Sequence, residues 1–253
     1  MRVQSGRKSR TVSRLSYVYC IIPSRKNLSF TYGKENREIN TIHYKDIAAV
    51  VTDAWKDKYE ILDDGLSHEM VVEMFQKNYC VLPMGFGQVS TEQDIKAFLN
   101  RNYTRIKTLM DQLEGKIELG VRVVWKQEAA LKEIIKTDKK IKALQSRIAD
   151  KPEHVAHKLK IEIGKTVADQ LEKRGEDIAF DFCRHLGPIS AASACNKTLS
   201  PQMLMNAAFL VKTDDVGDFD MMVDEMEEKY RPLVSVKYIV SPPYNFSNLR
   251  VNR

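Results

Sequence analysis

The stretch Lys116–Trp125 alternates, with Ile117, Leu119, Val121 and Val123 on one side and Lys116, Glu118 and Arg122 on the other, and it hands over directly to a long tract of helical periodicity. A period of two followed by a period near 3.6 leaves few options: a strand with one packed face, then helices that return across it. In the tract Ile134, Ile141 and Ile148 recur at heptad spacing, with Ala130, Thr137 and Leu144 on the same seam. Asp150-Lys-Pro152 breaks it, and Val155, Leu159, Ile163, Val167, Leu171, Ile178, Phe182 and Leu186 resume it. So short a heptad run predicts an antiparallel helical hairpin over about 127–186, with its tip near 149–154, rather than an intermolecular coiled coil. Gly164 and Gly175 weaken the second helix by ~1 kcal/mol each relative to alanine. Gly187-Pro188 ends it. Ile189–Cys195 and Leu204–Lys212 then read as strands, Asp218 opens a helix with Phe219, Met222, Val223, Met226 and Tyr230 on one face, and Leu233–Val240 reads as a closing strand. The order is βαββαβ, a ferredoxin-like split topology whose first helix is expanded into the hairpin.

Upstream, Tyr17–Ile22 is aromatic and β-branched and stops at Pro23, so it predicts a strand. Ile47–Thr52 predicts a second and Cys80–Phe86 a third, with a weaker one near Arg37–His43. Ser67 is placed to cap a helix in which Met70, Val71, Met74 and Phe75 share a face. Thr91 and Asp94 have capping-box spacing and open another, striped by Ile95, Phe98, Leu99, Ile106, Leu109, Met110 and Leu113. The expected fold class is α+β, built of two α/β domains. The expected division is a disordered basic arm over 1–16, a first domain over 17–113, a ferredoxin-like domain over 114–241 and a C-terminal tail over 242–253.

The net charge of +6 is mostly a property of the arm, whose Arg2, Arg7, Lys8, Arg10 and Arg14 leave the remaining body near +1. Two local imbalances persist: cations dominate between Lys132 and Lys160, whereas 213–228 holds acids and no cation. Such sorting suits oriented protein contacts as well as polyanions. No run approaches the ~20 apolar residues of a membrane span, and the start of the chain lacks the apolar core of a signal peptide. Cys20, Cys80, Cys183 and Cys195 lie far apart without a C-x-x-C pair, which predicts reduced thiols in a cytosolic protein.

Reaction centres are not evident. His154 and His157 share a helix face but have no cysteine or further carboxylate at ligand spacing, so no metal site is expected. Gly85-Phe86-Gly87 lacks the remaining glycine and following helix of a dinucleotide fingerprint. Cys183 and His185 stand two apart, a spacing that does not face on a helix. No Gly-x-Ser-x-Gly elbow is present. The expectation is a protein without catalytic residues, cofactor or metal. The strands carry Val, Ile and Leu where an RNA-binding sheet needs interleaved aromatics, so nucleic-acid binding would fall to the arm. Pro242-Pro243-Tyr244-Asn-Phe246 is the most distinctive segment. Paired prolines hold an extended backbone that cannot continue a ladder, with two aromatics following. It reads either as a tail that plugs its aromatics into the parent domain or as a docking peptide.

Taken in order, Tyr17–Pro23, Ile47–Thr52, Val81–Gly87 (preceded by His68 and Glu73), Leu113–Trp125, Ala208–Val211 and the Pro-Pro-Tyr-x-Phe close resemble the gas vesicle protein L/F family from Tyr17 to Phe246. The chain departs from that pattern at Gly85, where arginine is usual, at Gln88, where threonine is usual, and at Ser241, which stands in for Gly-Pro-Trp. The resemblance implies a non-enzymatic accessory or minor structural protein of gas vesicle formation. It would act in the cytoplasm and at the gas vesicle, with the small hydrophobic shell protein and other accessory proteins as partners. Pro242, Pro243, Tyr244 and Phe246, with Met84 and Phe86, are the candidate contact residues. Met203, Met205, Met221, Met222 and Met226 could add an adaptable apolar surface or serve in the core. A ferredoxin-like regulatory ligand-binding module, or nucleic-acid binding through the arm, are the alternatives.

Overall fold

The computed structural model describes residues 14–33, 36–56, 58–148 and 151–251. Most of the basic arm and part of the expected hairpin tip therefore lie outside the described residues. The chain separates into two compact units, Met1–Glu114 with Pro242–Arg253, and Gly115–Ser241.

The first unit is an antiparallel sheet of β1 (Leu15–Ile22), β2 (Ser29–Tyr32), β3 (Arg37–Tyr44), β4 (Ile47–Asp53), β5 (Leu82–Pro83) and β6 (Val89–Thr91). The strands run in the order β2-β3-β4-β1-β5, and β6 also pairs with β1. β1 and β4 are almost wholly buried, as their unbroken apolar runs require when helices cover both faces. Tyr17, Tyr19, Ala48 and Val50 pack with Val71, Val72 and Phe75 of α1 (Ile61–Gln76). By the period of two, the alternate residues face the other way. There α2 (Glu92–Arg101) packs on β3 and β4 with Ile95, Phe98 and Leu99 buried, and α3 (Tyr103–Leu113) follows.

Several expectations in this unit are corrected. β1 begins at Leu15, inside the span assigned to a disordered arm. β2, Ser-Phe-Thr-Tyr, is an additional strand, its four residues carrying a short alternating signal inside a mostly polar stretch. Only Leu82–Pro83 of Cys80–Phe86 pairs as a strand, because Pro83 brings no N–H to a ladder. α1 starts at Ile61, so Ser67 sits inside the helix. Its first turn is held instead by the Asp64 carboxylate, which accepts from the Glu60 N–H at 3.0 Å and from Lys56 Nζ at 2.8 Å. Thr91 does cap α2, accepting from the Asp94 N–H at 3.1 Å. The stripe beyond it breaks at Asn102, whose side chain donates to the Phe98 carbonyl.

The second unit is a four-stranded antiparallel sheet in the order β10-β7-β9-β8, formed by β7 (Lys116–Trp125), β8 (Ala192–Cys195), β9 (Met203–Lys212) and β10 (Val234–Ser241). Its helices are α4 (Gln127–Thr137), α5 (Lys139–Ser146), α6 (Glu153–Leu186) and α7 (Val216–Tyr230). Leu119, Val121 and Val123 meet Phe209, Val211, Ile178, Phe182, Leu186, Phe219 and Val223 in one core. Glu118 is buried rather than wet, and its carboxylate accepts from Ser241 Oγ at 3.2 Å. The heptad seam divides at Asp138, whose carboxylate accepts from the Ile141 N–H and starts α5 afresh. Ala130, Ile134, Ile141 and Leu144 still bury, and α4 and α5 both pack on α6. Thr137 is exposed. α6 runs through Gly164 and Gly175 without a break.

Candidate protein-interaction site

In the first unit, β1 places the Tyr17 ring beside His68 of α1, with the hydroxyl 2.8 Å from Nδ1. The same hydroxyl oxygen accepts from the Gly87 N–H at 3.3 Å. The Tyr17 hydroxyl and His68 Nδ1 share one proton between them, with the donor set by the tautomer of the ring. Burial lowers the His68 pKa to about 4, with the Met84 backbone opposing, so the ring is neutral near pH 7. Burial pushes the Tyr19 hydroxyl up to about 12, against the pull of Arg37. Gly87 has φ +78°, a conformation that turns the chain after Phe86 and that a larger residue adopts only under strain. Phe86 and Tyr244 bring their ring centroids 5.9 and 6.2 Å from that of His68.

The C-terminal segment closes this cluster. Pro242 and Pro243 are buried, Tyr244 and Phe246 are half-buried, and Tyr244–Ser247 forms a single helical turn, α8. Ser247 Oγ donates to the Pro83 carbonyl at 3.0 Å, Leu249 bridges Met84 in parallel, and the Val251 N–H donates to Gln88 Oε1 at 3.2 Å. Burial, with Glu69 next in effect, raises the Tyr244 hydroxyl above its ordinary range. The six sequence-selected residues are thus brought into one region of this unit. Met84 is fully buried and Phe86 half-buried, which makes Met84 a floor for the tail.

A second feature escaped sequence reading because the helix was expected to start later. α1 carries Leu62, Leu66 and Met70 one turn apart, at 96%, 68% and 46% exposure, with Ile61 beside them. Met70 therefore lies on the outer face, away from Val71 and Phe75. The i, i+4, i+8 spacing was the available signal. In the second unit, a cleft of about 790 Å³ is lined by Trp125, Leu171, Gly175, Ala179, Met203 and Leu204, with Glu172 and Glu176 among its polar residues. Of the five methionines considered as contacts, Met205 and Met226 are buried and Met203 and Met222 half-buried, whereas Met221 is exposed. His154 and His157 are exposed on α6. Among the described residues, no group of three or more His, Cys, Asp or Glu side chains is placed to hold a metal, and no helix is long and apolar enough to cross a membrane.

Comparison with known proteins agrees in extent with this architecture. Residues 15–248 match the family model described as gas vesicle synthesis protein GvpL/GvpF. Gas vesicle protein F of Dolichospermum flosaquae is 22% identical, the match covering 92% of this chain and 97% of that protein. Gas vesicle protein F of Streptomyces sp. (strain CB03234) is 25% identical over 91% of this chain and 98% of its own length. The crystal structure of the gas vesicle protein GvpF from Anabaena sp. PCC7120 superposes with a TM-score of 0.80, covering 94% of this chain and 99% of that one at 22% identity. With a family model matched across both units, this chain belongs to the gas vesicle synthesis protein GvpL/GvpF family.

Proposed function

We propose that this protein is a non-catalytic accessory factor of gas vesicle formation, working in the cytoplasm and at the vesicle. In this reading it binds the small hydrophobic shell protein, together with other accessory proteins, through the outer face of α1. The observation that carries the reading is the line Leu62, Leu66 and Met70, left in water beside a well-formed core. Aliphatic side chains in register on one helix face, rather than scattered singly, mark a contact surface. Shell subunits expose apolar surface before they assemble, and a chain with such a face can cover it. The Pro242, Pro243, Tyr244 and Phe246 tail, with Met84 and Phe86, is proposed to brace this unit and to offer its half-buried aromatics at the edge of the contact. The second unit is read as a ferredoxin-like split βαβ fold carrying the hairpin.

Co-purification with the shell protein tests this. The native chain should retain it, and the double substitution Leu62→Glu/Leu66→Glu should weaken retention at least about tenfold, the effect of losing one buried leucine worth ~2 kcal/mol. Retention unchanged by that pair would refute the assignment. The cleft at Trp125 and Leu204 favours a second reading, a regulatory ligand site. That reading requires a small molecule that raises the melting temperature near equimolar ratio and loses its effect in Leu204→Trp.

A further inference from the structure

The second unit carries two exposed helix stripes with the same spacing and opposite charge. On α7, Asp218, Met221 and Glu225 stand at i, i+3 and i+7, with Met221 64% exposed. Asp224 and Glu228 flank them, and the buried Phe219, Val223 and Met226 lie on the opposite side of the helix. On α6, Lys158, Ile161 and Lys165 stand at i, i+3 and i+7, with Ile161 48% exposed. Ala156 and Leu159 face inward, and Glu162 lies beside the stripe. Each stripe is one apolar side chain between two like charges, a helical turn apart. None of Lys158, Lys165, Asp218 and Glu225 has an ion-pair partner among the described residues.

The two stripes are kept apart within one unit. α6 is tied to the C-terminal end of α7 where Asp181 accepts from Lys229 Nζ at 2.6 Å and from the Tyr230 hydroxyl at 2.8 Å. The antiparallel strand order makes the two helices antiparallel, so α6 N-terminal to Asp181 runs on past the Tyr230 end of α7. At 1.5 Å per residue, Ile161 lies about 30 Å beyond that tie and Met221 about 13 Å to its other side. The charges cannot neutralise one another inside the molecule, yet they match in spacing, sign and central apolar residue.

We infer that the α6 stripe of one copy docks on the α7 stripe of a second copy, so that the chain self-associates head to tail. Such a contact joins different faces of the two partners, so copies add in a row when the rotation between neighbours does not close and form a ring or a reciprocal pair when it does. Lys158 and Lys165 meet Asp218 and Glu225, and Ile161 packs on Met221. Exposed ion pairs weaken with salt, so association belongs to low ionic strength.

Sedimentation velocity of the full chain across a concentration series, at about 50 mM and about 500 mM salt, tests this. The expected result is a concentration-dependent ladder at low salt that collapses to monomer at high salt. Lys158→Glu/Lys165→Glu and Asp218→Lys/Glu225→Lys should each be monomeric at low salt and melt within a few degrees of the parent chain. Their equimolar mixture should associate again, because each then presents a complementary face to the other. A parent chain that stays monomeric at low salt, a variant that still self-associates, or a mixture that stays monomeric would each overturn the proposal. The first of these outcomes would leave the stripes to partners other than a second copy.

Discussion

The two units solve the burial of a sheet differently. The first covers both sheet faces and fills its centre with aromatics: Tyr17 alone has Tyr19, Trp55, Tyr59 and His68 rings within 5.6 Å of its own. It is completed by residues from the far end of the chain, through Ser247 on Pro83 and Leu249 on Met84. The second packs aliphatic residues with Phe182, Phe209 and Phe219 in a core against α6 and α7 and then sends the other half of α6 beyond that core with α5. A closed aromatic core concentrates stability and pH sensitivity in one place. A helix that outruns its core instead presents surface, and its charges can be sorted along it.

If the tail belongs structurally to the first unit, Leu249→Ala, at a buried position on Met84, should cost about 2–3 kcal/mol. Hydrogen exchange should locate the loss in β1, β5 and α1. Loss confined to the second unit would break the comparison. A pH effect of similar size comes from His68. Its folded pKa of about 4 lies below the ordinary 6.5, so the unfolded state binds more protons between these values. Stability is therefore full above about 6.5 and falls as the pH drops toward 4, by on the order of 3 kcal/mol at most. His68→Gln should flatten that part of the stability curve, read by denaturant melts across pH. The smallest effect lies in the second unit. Gly164→Ala meets no atom within 4 Å and should stabilise by up to ~1 kcal/mol. At Gly175 an added Cβ would come 2.8 Å from Leu204 Cδ2, so Gly175→Ala should forfeit that gain. Equal melting temperatures for the two variants would show that α6 does not press on β9.

The second unit was the more legible in sequence, because its signals are local. Alternation over Lys116–Trp125, the Pro152 break and the Phe219–Val223–Met226 face each report one element's own period. The first unit hides more. β2 alternates Phe30 and Tyr32 with Ser29 and Thr31, but at four residues inside a mostly polar stretch the pattern is too short to stand out before its pairing with β3 is known. The α1 start depends on Asp64 reaching back to Glu60, where the sequence offered Ser67 as the more familiar cap. The site was half visible. Pro242-Pro243-Tyr244 announced a special segment, yet its seat against Pro83, Met84 and Gln88 is a contact across most of the chain length that no local pattern encodes. Leu62 and Leu66 precede the helix start that Ser67 suggests, so their spacing marks no face until the true start at Ile61 is known.

Under the proposed function, α1 is the face this protein gives to the vesicle shell protein. This is tested most directly by titrating purified shell protein into the native chain, Leu62→Glu/Leu66→Glu and Lys158→Glu/Lys165→Glu, with affinity read by fluorescence anisotropy. Only the α1 pair should lose affinity, by at least about tenfold, while the α6 pair binds as the native chain does. Native affinity in the α1 pair, or an equal loss in both, would contradict it.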